Sequence, residues 1–162
     1  MLTKADLADP TVIEGWVRDL ALTPTRREDP SNNWRIQFAT AGANAFTISC
    51  VSPKSLPRAI MLICGIVPAP ENITAFNALT PAQKKQFWEG LRDTLNRESI
   101  EFQIEGTPVD ECPKTIRVTA VRFDDGLSLD SFAHSLGLVC KASLDAATHF
   151  NERLNEARSR AN

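Results

Sequence analysis

The stretch RAIMLICGIVP, Arg58–Pro68, is the most informative segment of the chain because it contains nine apolar or small residues in succession. A membrane-spanning helix needs about 20 such residues, and a targeting segment lies at a terminus, so its length and internal position argue against both interpretations. As a strand the nine residues would extend for about 30 Å, and Pro57 and Pro68 bracket them. The stretch is therefore predicted to be a central β-strand.

Side-chain alternation divides this predicted strand into two apolar faces. Gly65 would permit a bulge or a close approach of another backbone. One face would present Ile60, Leu62, Cys64 and Ile66, and the other would present Met61, Ile63 and Val67. The second face would be covered by the protein's own helices, by a second subunit or by a partner polypeptide, and the function depends on which of these covers it.

Two amphipathic strands precede this segment. The stretches NWRIQFAT and AFTISCV alternate apolar and polar residues with a period of two, and the short turn TAGAN joins them into a predicted antiparallel hairpin. Asp9 and Pro10 signal the start of a helix that is expected to run to about Leu22. The stretch TPTRREDPSNN that follows this helix is predicted to be a loop.

A helix, two strands and a long helix are predicted after the central strand. PAPENITAFNAL is irregular, and the capping box Thr80-Pro81-Ala82-Gln83 then begins a helix that runs to about Asn96. IEFQIEG and TIRVTAVRF are predicted to be strands. In the second strand, alternation places Val121 and Phe123 on the face opposite to that of Ile116, so both faces carry apolar side chains. After the turn DDG, Ser128 is expected to cap a last helix of about 30 residues.

These elements predict an α+β fold, a two-layer sandwich in the order α-βββ-α-ββ-α. The sheet would be antiparallel and five-stranded, with a long C-terminal helix packed against it. A chain of 162 residues is expected to fold as a single domain, residues 1–162, with an ordered core over about 9–156.

Composition and charge exclude several classes of protein. The 18 Lys and Arg residues nearly balance the 20 Asp and Glu residues, and a net charge of −2 argues against a general nucleic-acid binder. The N-terminal sequence lacks the apolar core of a secretory signal, so the expected location is the cytoplasm. The cysteines Cys50, Cys64, Cys112 and Cys140 form no C-x-x-C pair and are expected to be reduced.

The sequence contains no motif for catalysis, a cofactor or a metal. His134 and His149 are the only histidines, and neither has a zinc-site spacing to a cysteine. Asp124 and Asp125, together with His134, form the one cluster that could support chemistry, since adjacent carboxylates bind divalent cations. The simpler interpretation is that Asp-Asp-Gly forms a turn before the last helix. No catalytic residue, cofactor or metal is therefore predicted.

The order and lengths of the elements resemble the type III secretion chaperone-like fold. The helix DPTVIEGWVRDL, the hairpin, the strand RAIMLICGIV, the helix TPAQKKQFWEGLRDTL and the terminal helix carry the resemblance. Among the families that share this fold, an uncharacterised archaeal or bacterial family is the expected match. The resemblance implies a homodimer that binds an extended partner polypeptide on apolar grooves and performs no reaction. Secretion chaperones are typically more acidic than this chain.

Two functions are compatible with the sequence. The first is a non-enzymatic, homodimeric binding protein, chaperone-like or regulatory, with neither a nucleic acid nor a membrane as partner. Its partner or dimer surface would consist of Met61, Ile63, Val67, Val121 and Phe123. The alternative is a small-molecule or metal-dependent enzyme with a site near Asp124, Asp125 and His134.

Overall fold

The computed structural model of the protein describes residues 9–42 and 45–161. Over these residues the chain forms four α-helices and six β-strands. The helices are α1 (Thr11–Asp19), α2 (Pro70–Asn77), α3 (Pro81–Asn96) and α4 (Leu129–Ala161). The strands are β1 (Thr25–Arg27), β2 (Asn32–Ala39), β3 (Thr47–Pro53), β4 (Ala59–Ile66), β5 (Glu101–Glu105) and β6 (Thr115–Phe123). None of these described helices is long and apolar enough to span a membrane.

The strands form one antiparallel sheet in the order β1-β2-β3-β4-β6-β5. The apolar stretch that opened the sequence analysis forms β4, which lies in the interior of this sheet between β3 and β6, as predicted. An α+β fold with a long C-terminal helix is also confirmed. One face of β4, with Ile60, Leu62 and Cys64, is almost completely buried, whereas Met61 and Ile63 on the other face are half-buried.

The predicted count of five strands and the predicted element order are wrong in two places. The stretch expected to be a loop contains β1, an edge strand of three exposed residues that pairs with Arg35–Gln37 of β2. The segment expected to be irregular contains α2, which begins with Pro70 at its first position. Both elements are too short for hydrophobic periodicity to detect, and β1 has no apolar residue at all.

Local capping follows the predictions at α3 and α4, whereas at α1 the N-cap residue is Pro10 rather than the predicted Asp9. Asp9 Oδ1 accepts a hydrogen bond from Thr11 N at 2.9 Å, although α1 ends at Asp19 rather than near Leu22. The predicted capping box of α3 is present, with Gln83 N donating to Thr80 Oγ1 at 3.3 Å. Ser128 Oγ accepts from Ser131 N at the start of α4. Asn44, in the predicted hairpin turn, lies outside the described residues.

The chain forms two compact units. Unit 1 comprises Met1–Cys64 and Thr119–Cys140, and unit 2 comprises Gly65–Val118 and Lys141–Asn162. Each unit therefore contains part of β4, β6 and α4. The division does not test the expected single domain, which stays a prediction.

The helices of unit 1 pack on one face of its strands. Ile36, Cys50 and Leu62 pair in register across β2, β3 and β4 and are almost completely buried. Arg26 pairs with Ile36, and its Nε donates to Glu14 Oε1 of α1 at 2.5 Å. Because paired residues point to the same side of a sheet, α1 lies on the Ile36 face.

The first half of α4 lies on this face as well. Arg122 Nε of β6 donates to Ser135 Oγ of α4 at 2.6 Å, and the rings of Trp16 in α1 and Phe132 in α4 lie 5.8 Å apart. The core of unit 1 therefore lies between these two helices and one side of the strands.

Unit 2 has its own apolar core. Phe87 of α3 makes edge-to-face contacts with Phe76 at 5.3 Å and with Phe150 of α4 at 5.0 Å. Trp88 is buried, and its indole Nε1 donates to the Glu111 carbonyl oxygen at 3.1 Å. Ile116 and Val118 of β6 complete the core from the sheet side.

Candidate functional site

The sheet of unit 1 has a second face, opposite α1 and α4, which we call the open face. Strand pairing arranges its side chains in two rows that cross the strands. One row runs Arg27, Arg35, Val51 and Met61, and the other runs Thr25, Gln37, Ser49 and Ile63. With about 4.8 Å between neighbouring strands, the four positions of a row cover about 14 Å.

β6 extends the open face beyond β4. Asp124 N donates to the Arg58 carbonyl oxygen at 2.9 Å, which brings the end of β6 next to the start of β4. Arg122 contacts Ser135 on the helix side of the sheet. Because successive side chains of a strand point to opposite faces, its neighbours Val121 and Phe123 point to the open face. Apolar side chains therefore continue from β4 onto β6.

The structure brings together most of the predicted surface residues. Met61, Ile63 and Val121 are half-buried on the open face, and Phe123 is 52% exposed. Val67 is 71% exposed but lies beyond the end of β4 at Ile66, so strand alternation does not place it on this face.

Two arginines lie beside the apolar residues, and the sequence analysis did not identify them as part of the site. Arg27 and Arg35 are direct cross-strand partners on β1 and β2. Arg27 Nε donates to Gln37 Oε1 at 3.0 Å, Gln37 Nε2 donates to Ser49 Oγ at 3.2 Å, and Arg35 Nη2 donates to the same oxygen at 3.0 Å. The pairing of Arg27 depends on β1, which the sequence did not predict.

These two guanidinium groups have little compensating negative charge. Within the described ranges Arg27 makes no ion pair, and the buried Nε of Arg35 has no hydrogen-bond partner. Asp29 Oδ2 lies 3.5 Å from Arg35 Nη1, but the Asp29 carboxylate also accepts from Asn32 Nδ2 and Ser31 N. The hydrogen bond from Asn32 is the main reason that the pKa of Asp29 is lowered.

An open cleft of about 740 Å³ adjoins the arginine pair. Its lining includes Arg27, Arg35, Asp29 and Lys54. Lys54 Nζ donates to the Pro30 carbonyl oxygen at 2.6 Å. Arg26 and Glu28 also line the cleft, so cationic side chains outnumber carboxylates around a space that a partner side chain can enter.

The residues of the alternative, catalytic cluster are arranged differently. The Asp124 side chain is only 6% exposed and accepts two hydrogen bonds from Arg58, at 3.0 Å from Nε and 2.8 Å from Nη2. These bonds hold the pKa of Asp124 below its usual range. Asp125 and His134 are exposed, and no group of three or more potential metal ligands occurs in the part of the chain that the structure describes.

Comparison with known proteins identifies the family of this chain. Residues 10–150 match the family model described as uncharacterized conserved protein (DUF2299). The chain belongs to this family. No curated protein matches the sequence of this DUF2299 member.

Two solved structures share the fold of the DUF2299 chain. An uncharacterized protein from Methanothermobacter thermautotrophicus has 23% sequence identity and a TM-score of 0.82, with 90% of this chain and 98% of that chain covered. YbjN, a candidate transcription regulator from E. coli, has 14% identity and a TM-score of 0.51, with 92% and 96% covered. The expected match to an uncharacterised family is confirmed, whereas the resemblance to secretion chaperones stays a prediction.

The open face of this DUF2299 protein has the elements of a binding surface. It has an apolar centre on β4 and β6, and a polar flank on β1 and β2 where guanidinium groups present hydrogen-bond donors. Arginine donors of this kind recognise carboxylate and phosphate groups.

Proposed function

We propose that this protein is a non-enzymatic, homodimeric binding protein that uses the open face of unit 1 to bind a partner polypeptide. The observation that carries the proposal is the group of partly exposed apolar side chains Met61, Ile63, Val121 and Phe123 on that face. Burial of apolar surface contributes about 25 cal/mol for each Å², so covering these side chains would be favourable.

The fold is compatible with this role. The chain shares its fold with YbjN, which is described as a candidate transcription regulator, and regulators act through binding. Fold alone does not determine function, so the proposal depends on the site. A homodimer is expected from the secretion-chaperone resemblance. Light scattering of the purified protein tests this part separately, and a monomer at micromolar concentration would show that the homodimer part of the proposal is wrong.

A binding role is favoured over catalysis because the buried carboxylate of the Asp124, Asp125 and His134 cluster is already paired with an arginine. Asp124 is held by Arg58, which leaves Asp125 and His134 as exposed side chains. Thermal-shift measurements with divalent cations and metabolites, with Asp125→Ala as the control, would test the enzyme alternative. A ligand that stabilises the wild type and not the variant would favour an enzyme.

The binding role is tested with a labelled, permanently unfolded polypeptide, reduced and carboxymethylated α-lactalbumin, by fluorescence anisotropy. We expect the wild type to bind this probe and the double variant Met61→Thr/Ile63→Thr to bind it at least about tenfold more weakly, because apolar contact area is lost. Threonine is β-branched, a shape that favours a strand.

Leu144→Gln is the matched control, because Leu144 is an exposed apolar residue of the helix α4 in unit 2, whereas the open face belongs to unit 1. Its affinity for the probe should equal that of the wild type. Circular dichroism must show that all variants are folded. If the wild type does not bind, or if the Met61/Ile63 variant binds as well as the wild type, the proposed function is wrong.

A further inference from the structure

We infer that the open face selects a polypeptide segment that lies across the strands, with acidic residues over β1 and β2 and apolar residues over β4 and β6. This inference rests on the proposed function and adds the chemistry and direction of the partner. The order of side chains in the first cross-strand row carries it: two arginines, then Val51, which is only 4% exposed, and then the half-buried Met61.

The pairing register of the strands fixes the order of the side chains along this row. Arg27 faces Arg35, Arg35 faces Val51, and Val51 faces Met61. The row changes from cationic to apolar within about 14 Å. A helical segment of about nine residues or an extended segment of about four residues has this length.

The arginine pair is unfavourable without a partner. Like charges that lie directly opposite each other on neighbouring strands destabilise a sheet. The hydrogen bonds through Gln37 and Ser49 nevertheless hold both guanidinium groups on the open face. A carboxylate placed between them would accept hydrogen bonds from both and reduce their repulsion.

Neither Glu14 nor Asp29 already neutralises the pair. Arg26, on the helix side, is paired with Glu14 at 2.5 Å, whereas its neighbour Arg27 makes no ion pair within the described residues. The contact between Asp29 and Arg35 is long, at 3.5 Å, and Asp29 is also engaged by Asn32. The pair therefore retains capacity to bind an external carboxylate.

A polypeptide fits this surface better than a nucleic acid does. Beyond Arg35 the row continues into Val51 and Met61, and the neighbouring strand contributes Val121. A nucleic acid would need further cations along its backbone, and the net charge of the chain is −2. A polypeptide segment with acidic and apolar residues complements both the arginine pair and the apolar side chains of the row.

The experiment is a selection of random 12-residue displayed peptides on the full-length chain. We expect enriched peptides to combine Asp or Glu with apolar residues. Selection on Arg27→Glu/Arg35→Glu should instead enrich peptides with Lys or Arg beside the apolar residues. The control variant Arg92→Glu/Arg97→Glu changes the net charge equally through exposed residues of unit 2 that are not part of the sheet, and should select the same peptides as the wild type.

Affinities of one enriched synthetic peptide provide the quantitative test. Its affinity should fall at least tenfold for Arg27→Gln/Arg35→Gln, a milder change that guards against misfolding of the charge-reversed protein. It should fall similarly when the acids of the peptide are replaced by amides. The control variant should remain within twofold of the wild type.

The outcomes separate this inference from the proposed function. Enriched peptides that are apolar but lack acids, or that bind both arginine variants as well as the wild type, would overturn the inference alone. Absence of enrichment, or unchanged binding by Met61→Thr/Ile63→Thr, would overturn both. Tighter binding of a single-stranded 20-nucleotide DNA than of any peptide would overturn the inference in favour of a nucleic-acid partner.

Discussion

At the scale of single residues, the two histidines differ in burial: His149 is buried, whereas His134 is exposed. His149 is buried in unit 2, its Nε2 lies 3.0 Å from the Phe87 carbonyl oxygen, and its ring packs 5.0 Å from the Phe87 ring. Burial lowers the pKa of His149, and nearby Arg153 lowers this pKa further, while the bond to Phe87 and the charge of Glu152 act in the opposite direction. The imidazole is therefore expected to be neutral in the folded protein at pH 7.

A pH-dependent stability follows from this lowered pKa. The unfolded chain binds a proton at His149 more readily than the folded chain, so the free energy of unfolding should fall as the pH decreases below about 6.5. Urea denaturation at pH 7.5 and at pH 5.0 measures this loss. His149→Gln should show a smaller loss than the wild type.

The exposed histidine supplies the control for this measurement. The same measurement on His134→Gln controls for the replacement of a histidine by glutamine at an exposed position. The lowered pKa values of Glu14, Asp29 and Asp124 stabilise the folded state above the usual carboxyl range, and this stabilisation is lost only at lower pH. Equal losses in the wild type and in His149→Gln between pH 7.5 and 5.0 would contradict the prediction.

At the scale of elements, α3 and α4 illustrate how packing overrides intrinsic helix propensity. Both helices contain an interior glycine, which normally costs about 1 kcal/mol relative to alanine. A Cβ at Gly90 of α3 would lie 2.7 Å from His149 Cε1, whereas a Cβ at Gly137 of α4 would meet nothing within 4 Å. The close approach of His149 therefore requires a glycine at position 90, whereas no neighbouring atom requires a glycine at position 137.

The two alanine variants should therefore change stability in opposite directions. Gly90→Ala should destabilise the protein by about 1–3 kcal/mol, because the ring of His149 must move in a packed core. Gly137→Ala should stabilise it by up to about 1 kcal/mol through helix propensity. Thermal and urea denaturation of both variants measures these effects. A Gly90→Ala variant that is more stable than the wild type would show that His149 repacks freely.

At the scale of the whole molecule, the cysteines report on the integrity of the fold. Cys50, Cys64 and Cys112 are buried and Cys140 is half-buried, and all four are free thiols. Burial raises the pKa of the Cys50 thiol, and it raises the pKa of Cys112 to about 11. Only the thiolate reacts rapidly with alkylating reagents, so the folded protein should resist modification.

Thiol labelling by iodoacetamide at pH 8 tests this expectation. In the folded protein Cys140 should react first and the three buried cysteines at least about tenfold more slowly, whereas all four should react rapidly in 8 M urea without reductant. Cys140→Ser should remove the fastest phase. Fewer than four reactive thiols in urea would indicate a disulfide and contradict the expectation of reduced cysteines.

The sequence was sufficient to predict the longer elements. The apolar stretch that became β4, the alternation of β2 and β3 and the capping box of α3 predicted elements that the structure contains. These signals are local, because periodicity and capping depend on residues a few positions apart. The short strand β1 and the helix α2 have too few residues to produce such a pattern.

Part of the candidate site was also predictable. Alternation within one strand is enough to assign Met61 and Ile63, and likewise Val121 and Phe123, to a common face. Asp124 lies in a single 3-10 turn before the last helix, where the sequence predicted a turn, but its partner Arg58 is 66 positions away in the sequence and could not be identified from local pattern.

The amino-acid sequence by itself determined the α+β class, the interior strand and the apolar residues of the open face, because these depend on local periodicity and on the length of an apolar run. Only the tertiary structure decided that Arg27 faces Arg35 and that their row leads through Val51 to Met61. Register is a long-range property: a slip of one residue would move every side chain to the other face, and the pairing that prevents it is set by burial of the helix-facing side chains in three dimensions.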